Sequence, residues 1–357
     1  MIIYDKCKLY GLKTKKQLIN YFFKSPVFKK KHYKNRLNVS NIKKQEFFTD
    51  QIKPAVIDNK RLIEAPSRLL KTMQKSILND LKTLNIPKNI FSGVKDRSHI
   101  DNILQHGGKN HFMKIDLSKF FPHIKRNSVY SFYKKKFNLP CDIANILTNI
   151  STIDLKRIDL SCLNDFQKLN YENVLQFIHN KNISIFNHLT TGSRISPILS
   201  YLVNEEMFNE IEEFCRNNNV FFTIYVDDMA FSSNKKITNF FKQNIDKIIR
   251  KYGYKINEEK TKIIDINNWK KITGGIINKS GQIKCPKHLE FKLKQYNAEF
   301  KKGNYQHIQN MYGVLIEMKQ LEPHKYNSLY GIVHKKYMEL VHNNTIVYTR
   351  KHNNITY

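Results

Sequence analysis

Acidic residues are scarce: 30 Asp and Glu stand against 61 Lys and Arg, a formal net charge of +31. A surface this one-sided suits a polyanion. Codon bias in an A/T-rich genome would enrich Lys, Asn and Ile but does not explain the shortage of acids. Nucleic acid is the first expected partner, with an anionic membrane surface as the competitor. Cysteine is also sparse. Cys7, Cys141, Cys162, Cys215 and Cys285 are odd in number and include no Cys-x-x-Cys pair, which argues against a disulfide framework and against a zinc site. Reduced, mostly buried thiols are expected. Long apolar runs are missing, as is an apolar segment with a cleavage site at the N-terminus, so the chain reads as cytoplasmic with no membrane partner. No Gly/Ser-rich or Pro-rich linker and no repeat divides the 357 residues, which are too many for one small core; subdomains packed into one body are expected. What is abundant is aromatic: 23 Phe and 19 Tyr can fill a core, and that excludes a disordered basic tail.

Organisation follows from periodicity. Residues 1–54 hold fourteen Lys and Arg against three acids, with Lys29, Lys30 and Lys31 set near Phe28 and Tyr33; a basic helical arm is expected there. From Pro66, the positions Leu69, Leu70, Met73, Ile77, Leu78 and Leu81 have helical spacing, with Pro66 expected in the first turn. Residues 110–117 alternate as a strand that delivers Asp116 near its end. Residues 194–216 read as one helix, 220–233 as strand, tight turn and strand, and 238–252 as a helix closed by Gly253. Strands alternating with helices imply an α+β body, followed from about Pro286 by a mostly helical segment.

The chemistry concentrates at Tyr225, Val226, Asp227 and Asp228, set between apolar runs. Adjacent carboxylates on a strand-linking turn repel one another unless cations neutralise them, and a hard divalent metal does so naturally. Nucleotidyl transfer uses two metal ions about 3.5–4 Å apart, held by carboxylates from separate elements. Asp116 is the distant third carboxylate.

In this order the motifs resemble those of the reverse transcriptases, and more narrowly those of bacterial retrons, over about Arg61 to Asn278. The resemblance implies Asp116 and Asp227 as principal metal ligands with Asp228 in support, and the backbone carbonyl of Leu117 as a further ligand. It implies two Mg2+ ions, with Mn2+ as a substitute. Phe121 would lie against the sugar of the incoming nucleotide, where a ring clashes with a 2′-hydroxyl and selects dNTP; Phe120 reads as core. The run Thr191, Gly192, Ser193, Arg194, Ile195, Ser196, Pro197 is similar to the QGxxxSP loop, with Gly192 in the nucleotide site and Thr191 where the family has Gln. Arg61 is the candidate triphosphate clamp, Lys60 and Arg68 being alternatives. Lys260 is the candidate general acid for pyrophosphate, with Lys262 second. Asn102, Ile103 and His106 approximate the retron NAxxH motif, and Ile272, Thr273 and Gly274 the VTG motif; Asn102, His106, Thr273 and Gly274 are thus expected to be RNA-associated family positions.

The implied architecture is a right-hand polymerase with fingers, an antiparallel palm sheet and a mostly helical thumb. The expected divisions are the arm at 1–54, fingers and palm at 55–282, and a thumb and RNA-recognition segment at 283–357, where twelve Lys and Arg, six His and eight Tyr suit phosphate contact and stacking. Residues 151–190 match no motif and read as an insertion. The resemblance further implies an enzyme that copies part of its own structured non-coding RNA into multicopy single-stranded DNA, starting at the 2′-hydroxyl of an internal guanosine. Its partners would be that RNA, the DNA product, dNTPs and an effector protein in anti-phage defence. The alternatives are an abortive-infection or diversity-generating relative, or an inactive RNA-binding protein.

Overall fold

A computed structural model describes residues 3–28, 33, 35–44, 46–49, 51–57, 61–157 and 165–343. The run Lys29, Lys30, Lys31, together with Lys60 and Cys162, lies outside the described residues.

A capping box between Thr14 and Gln17 starts helix α1 (Lys15–Lys24). Its Leu18, Ile19 and Phe22 point inward and share one core with Tyr4, Leu9 and Phe28, so this basic stretch is packed onto the body. Helices α2 (Val39–Lys43) and α3 (Glu46–Thr49) lead into the hairpin of β1 (Ile52–Ile57) and β2 (Arg61–Pro66), in which Ile52 pairs with Pro66 and Ile57 with Arg61. The division at residues 54 and 55 therefore falls inside a strand. Helix α4 (Arg68–Leu81) buries the six apolar positions that its periodicity singles out. Pro66 is corrected from the first helical turn to the end of β2. Ser67 caps the helix because its hydroxyl can accept from the Leu70 amide, which proline cannot do.

Next come α5 (His99–Leu104), β3 (His111–Asp116), α6 (Phe120–His123), α7 (Arg126–Lys136) and α8 (Cys141–Ser151). In the unmatched stretch, β4 (Thr152–Asp154) and β5 (Asn187–Leu189) pair antiparallel across α9 (Asp165–Asn180). The single helix expected over 194–216 is two: α10 (Ser196–Val203) and α11 (Glu205–Asn217). The break is at Asn204, whose amide donates to the Ser200 carbonyl while its carbonyl oxygen accepts from Tyr254. A side chain that satisfies backbone groups locally competes with helix continuation.

Strands β6 (Phe221–Tyr225) and β7 (Asp228–Ser233) form the expected hairpin, followed by α12 (Asn239–Lys251), capped by Thr238, and β8 (Lys262–Ile264). Together with β3 they build a four-stranded antiparallel sheet in the order β6-β7-β3-β8. Alternation gives this sheet two unlike faces. Met113, Ile115, Phe222, Ile224, Met229 and Phe231 share the face buried in the main core. Phe112, Lys114, Asp116, Asp228, Ala230 and Tyr225 share the other. Phe112 and Ala230 on that second face belong to a separate cluster with Ile100, Ile103, Ile272 and Leu315. This cluster joins the sheet to the small sheet β9 (Lys270–Ile272), β10 (Gly275–Ile277), β11 (Ile283–Lys284) and to helices α13 (Lys287–Lys301), α14 (Ile308–Leu321) and α15 (Pro323–His342). The division at 282 and 283 thus falls where β11 joins β10. The architecture is α+β, as expected. Among the described residues no helix is long and apolar enough to cross a membrane.

The β10–β11 turn presses directly on the loop before β3. Gly281 has φ +85°, its carbonyl accepts from Gly108, and an added Cβ would fall 2.3 Å from the Gly108 carbonyl carbon. Gly303 has a similar φ of +78° with nothing within 4 Å of that position. Gly303→Ala should therefore cost about 1–2 kcal/mol, the left-handed backbone penalty alone. Gly281→Ala should cost clearly more, and urea unfolding of the two variants checks the difference.

Candidate active site

Asp116, the last residue of β3, lies directly opposite Asp228, the first residue of β7. Asp227 sits in the two-residue turn, Val226–Asp227, between β6 and β7, and its carbonyl accepts from the Leu117 amide at 3.1 Å. Register and turn together therefore gather the three carboxylates. Val226 has φ +60°, an uncommon backbone for a β-branched residue and worth about 1–3 kcal/mol of strain. The Ser92 hydroxyl holds that turn by accepting from the Val226 amide at 2.6 Å.

The electrostatics follow. Burial first, then the charges of Asp228 and Asp116, push the Asp227 carboxyl up to about 6. Burial also raises Asp228, although Lys114 opposes it. Two lysines flank the group: Lys260 Nζ is 3.1 Å from Asp116 Oδ1, and Lys114 Nζ is 2.9 Å from Asp228 Oδ1. Lys114 reaches Asp228 diagonally across the β3–β7 pair, on the same sheet face. Among the described residues no three His, Cys, Asp or Glu side chains form a finished metal cage. The donor set still fits a hard divalent cation: it is all oxygen, it has excess negative charge, and ammonium groups already supply positive charge at its edges.

The other expected positions divide. The Leu117 side chain is buried, and the two backbone bonds flanking it use the Asp116 carbonyl and the Ser118 amide, leaving its own carbonyl out of both. Phe120 is core, while Phe121 is half-buried beside it with ring centroids 6.0 Å apart. Arg61 is exposed at the tip of the β1–β2 hairpin, and Arg68 is exposed at the start of α4. Lys262, the second choice for the general acid, is exposed on β8 opposite Lys114. Gly192 has φ +89° and packs against β2, where an added Cβ would be 2.9 Å from Ile63 Cγ2. The Thr191 hydroxyl turns inward, 3.0 Å from the Leu62 carbonyl and 3.2 Å from Glu64.

The two retron-like motifs meet each other. Asn102 Nδ2 donates to Thr273 Oγ1 at 3.1 Å, and that hydroxyl donates to the His99 carbonyl at 3.2 Å. Gly274, with φ +87°, leaves room for the His99 ring, 2.6 Å from where a Cβ would stand. Of these motif residues, the Asn102 and His106 side chains are both enclosed. His106 bonds Ser232 at 2.8 Å and Thr223 at 2.7 Å, and burial pushes its pKa down to about 3, so the ring is neutral.

Sequence reasoning missed four residues. Lys114 carried a signal, since it lies two positions before Asp116 on the same strand face. His99 did not: its ring sits edge-on to Tyr225 at 6.3 Å and 3.4 Å from Glu317 on α14. Glu64 and His188 form a fully buried pair at 2.9 Å. Burial lowers the pKa of His188, but Glu64 and the Ile185 carbonyl outweigh that, and the net shift is upward. The signal for Glu64 was an acid at an inward position of an alternating strand.

Residues 42–302 match the family described as Reverse transcriptase (RNA-dependent DNA polymerase). The chain is 26% identical over 221 residues to the Retron Ec86 reverse transcriptase of Escherichia coli, covering 61% of this chain and 58% of that protein. It is 24% identical over 208 residues to the Retron Se72 reverse transcriptase of Salmonella heidelberg, covering 57% of this chain and 46% of that one. The match thus spans only about half of these relatives' own length. Among solved structures, apo telomerase from Candida tropicalis aligns at a TM-score of 0.40 and 16% identity, covering 82% of this chain and 61% of that one.

A carboxyl whose folded pKa lies above its ordinary value destabilises the fold once it is ionised. For Asp227, raised from 3.8 to about 6, the penalty is absent below about pH 4 and complete above about pH 6. Asp227→Asn should therefore stabilise the metal-free protein at neutral pH, by on the order of 2 kcal/mol, and leave it unchanged near pH 4. Thermal unfolding across that range checks the sign. A gain that persists undiminished in acid would count against a charge-based cause.

Proposed function

This chain belongs to the reverse transcriptase family, and from that premise we propose that it is an RNA-directed DNA polymerase of the retron kind. One observation carries the reading: Asp116 and Asp228 are register partners, with Asp227 in the turn that joins their strands. Asp116, Asp227 and Asp228, with the Leu117 carbonyl, would hold two Mg2+ ions. When bound, such ions activate the attacking hydroxyl and neutralise charge on the leaving pyrophosphate.

The chain's own residues account for the rest. The attacking hydroxyl gives its proton to solvent water as its oxygen bonds to the α-phosphorus of a dNTP, and the bond from that phosphorus to the bridging oxygen breaks. Lys260, which lies beside Asp116, would give a proton to the departing pyrophosphate. Arg61 on its hairpin would grip the triphosphate, Gly192 would admit it closely, and Phe121 would exclude a 2′-hydroxyl. Residues 55–282 act as fingers and palm, 283–357 as thumb and RNA-recognition segment, and 1–54 as a basic arm. In this proposal the template is the chain's own structured non-coding RNA and priming is from a guanosine 2′-hydroxyl. The single-stranded DNA product acts with an effector protein in anti-phage defence in the cytoplasm. The retron-named relatives and the meeting of Asn102 with Thr273 support the narrower reading.

Purified protein with Mg2+, dNTPs and primed RNA should incorporate nucleotide, and Asp227→Asn should lose at least about a hundredfold, the consequence of several kcal/mol of lost transition-state stabilisation. Equal incorporation by both proteins would remove the assignment. Mg2+ should also raise the melting temperature of the wild type more than that of Asp227→Asn, a readout independent of turnover. Phe121→Ala should relax discrimination against ribonucleotides at modest cost to dNTP use, whereas unchanged sugar selectivity would make the ring plain core. Sequencing copurified nucleic acid should reveal a branched RNA–DNA molecule; unbranched RNA alone would sink the retron reading and leave the polymerase intact.

A further inference from the structure

The buried pair of Glu64 and His188 takes no part in the chemistry proposed above, yet it lies between two elements of that site. Glu64 is on β2, three residues from Arg61, and His188 is on β5, just before the Thr191–Gly192 loop. Both side chains are 0% exposed. His188 Nδ1 lies 2.7 Å from the Ile185 carbonyl, which can only accept, so that nitrogen carries a proton and Nε2 faces Glu64 Oε1 at 2.9 Å. The second carboxylate oxygen accepts from the Thr191 amide at 2.7 Å and lies 3.2 Å from its hydroxyl. The backbone returns the contact, with the Glu64 amide donating to the Thr191 carbonyl at 2.8 Å. Each carboxylate oxygen is thus committed to a different anchor, one to β5 and one to the loop. Immediately after this anchor, Gly192 packs against Ile63 with no space for a side chain.

We propose that Glu64, locked to His188, is a positioning residue that fixes the Thr191–Gly192 loop against the strand of Arg61 and so sets the width of the pocket for the incoming nucleotide. The proposal rests on the polymerase reading, which assigns Arg61 and Gly192 to that pocket. A buried ion pair is weak evidence of added stability, because apolar residues of similar volume often serve as well. What it supplies is direction: the carboxylate fixes the loop's place relative to β2 along defined bonds. With the Thr191 hydroxyl turned inward, the loop would meet the nucleotide through its backbone, so its placement matters more than its side chains.

The test separates nucleotide binding from turnover. In Glu64→Gln the amide keeps the shape but carries no charge and offers one acceptor oxygen, so the charge-assisted bonds to His188 and Thr191 are replaced by weaker neutral ones. The KM for dNTP should rise roughly tenfold, part of the up to roughly hundredfold loss that about 1 Å of misplacement can bring, with kcat and primed-RNA affinity little changed. A merely structural role would lower the active fraction, and hence kcat, at constant KM; that result overturns the proposal. If Glu64→Gln does not fold, Thr191→Val removes the hydroxyl contacts alone, and an unchanged KM in that variant overturns it equally. Wild-type protein that incorporates no dNTP would instead sink the polymerase reading, and the clamp with it.

Discussion

Like charges brought together by strand register are the constraint on which this structure depends. With Asp116 facing Asp228 and Asp227 in the adjoining turn, negative charge accumulates where burial already makes it costly. The neighbourhood is arranged to tolerate that. Lys114 and Lys260 flank the group, Ser92 secures the strained turn at Val226, and Leu117 ties the end of β3 to Asp227. Relaxing any of these would let the carboxylates separate, and a group that repels itself when metal-free is one that a divalent cation can draw together.

The same sheet explains how the C-terminal helices are coupled to this centre. One face is apolar throughout and sinks into the main core, while the other is divided along its length. At one end Phe112 and Ala230 enter the second hydrophobic cluster; at the other stand Lys114, Asp116, Asp228 and Tyr225. His99 bridges the two ends, touching Tyr225 through its ring, Thr273 through its carbonyl and Glu317 of α14 through Nε2. The β9–β11 sheet and α13–α15 are therefore fixed relative to the carboxylates by packing and by hydrogen bonds from the two short motifs, and removing them would uncover Ile100, Ile103, Phe112 and Ala230. The enclosed Asn102 and His106 belong to this joint: Asn102 bonds Thr273, and His106 bonds Ser232 and Thr223 of the four-stranded sheet.

Much of this was legible in the residues alone. Alternation and helical spacing place β3, β6, β7, α4 and α12, because local periodicity reports which face is buried. The carboxylates were legible because paired acids between apolar runs have few structural excuses. Less was legible where a side chain competes with the backbone. Asn204 breaks a run whose apolar spacing continues unbroken, and Ser67 rather than Pro66 begins α4, since a hydroxyl that accepts a hydrogen bond outranks a favourable φ.

The sequence by itself determined the polyanion-seeking charge, the α+β alternation and the identity of the three acids, since each is a property of composition or of neighbours within a few residues. Only the tertiary structure decided which distant groups share a bond: Glu64 with His188 and Thr191, Asn102 with Thr273, Lys114 with Asp228 across the strand pair. The physical reason is that a hydrogen bond or ion pair depends on separation in space, and separation along the chain leaves that open until strand register and helix packing have closed the loops between.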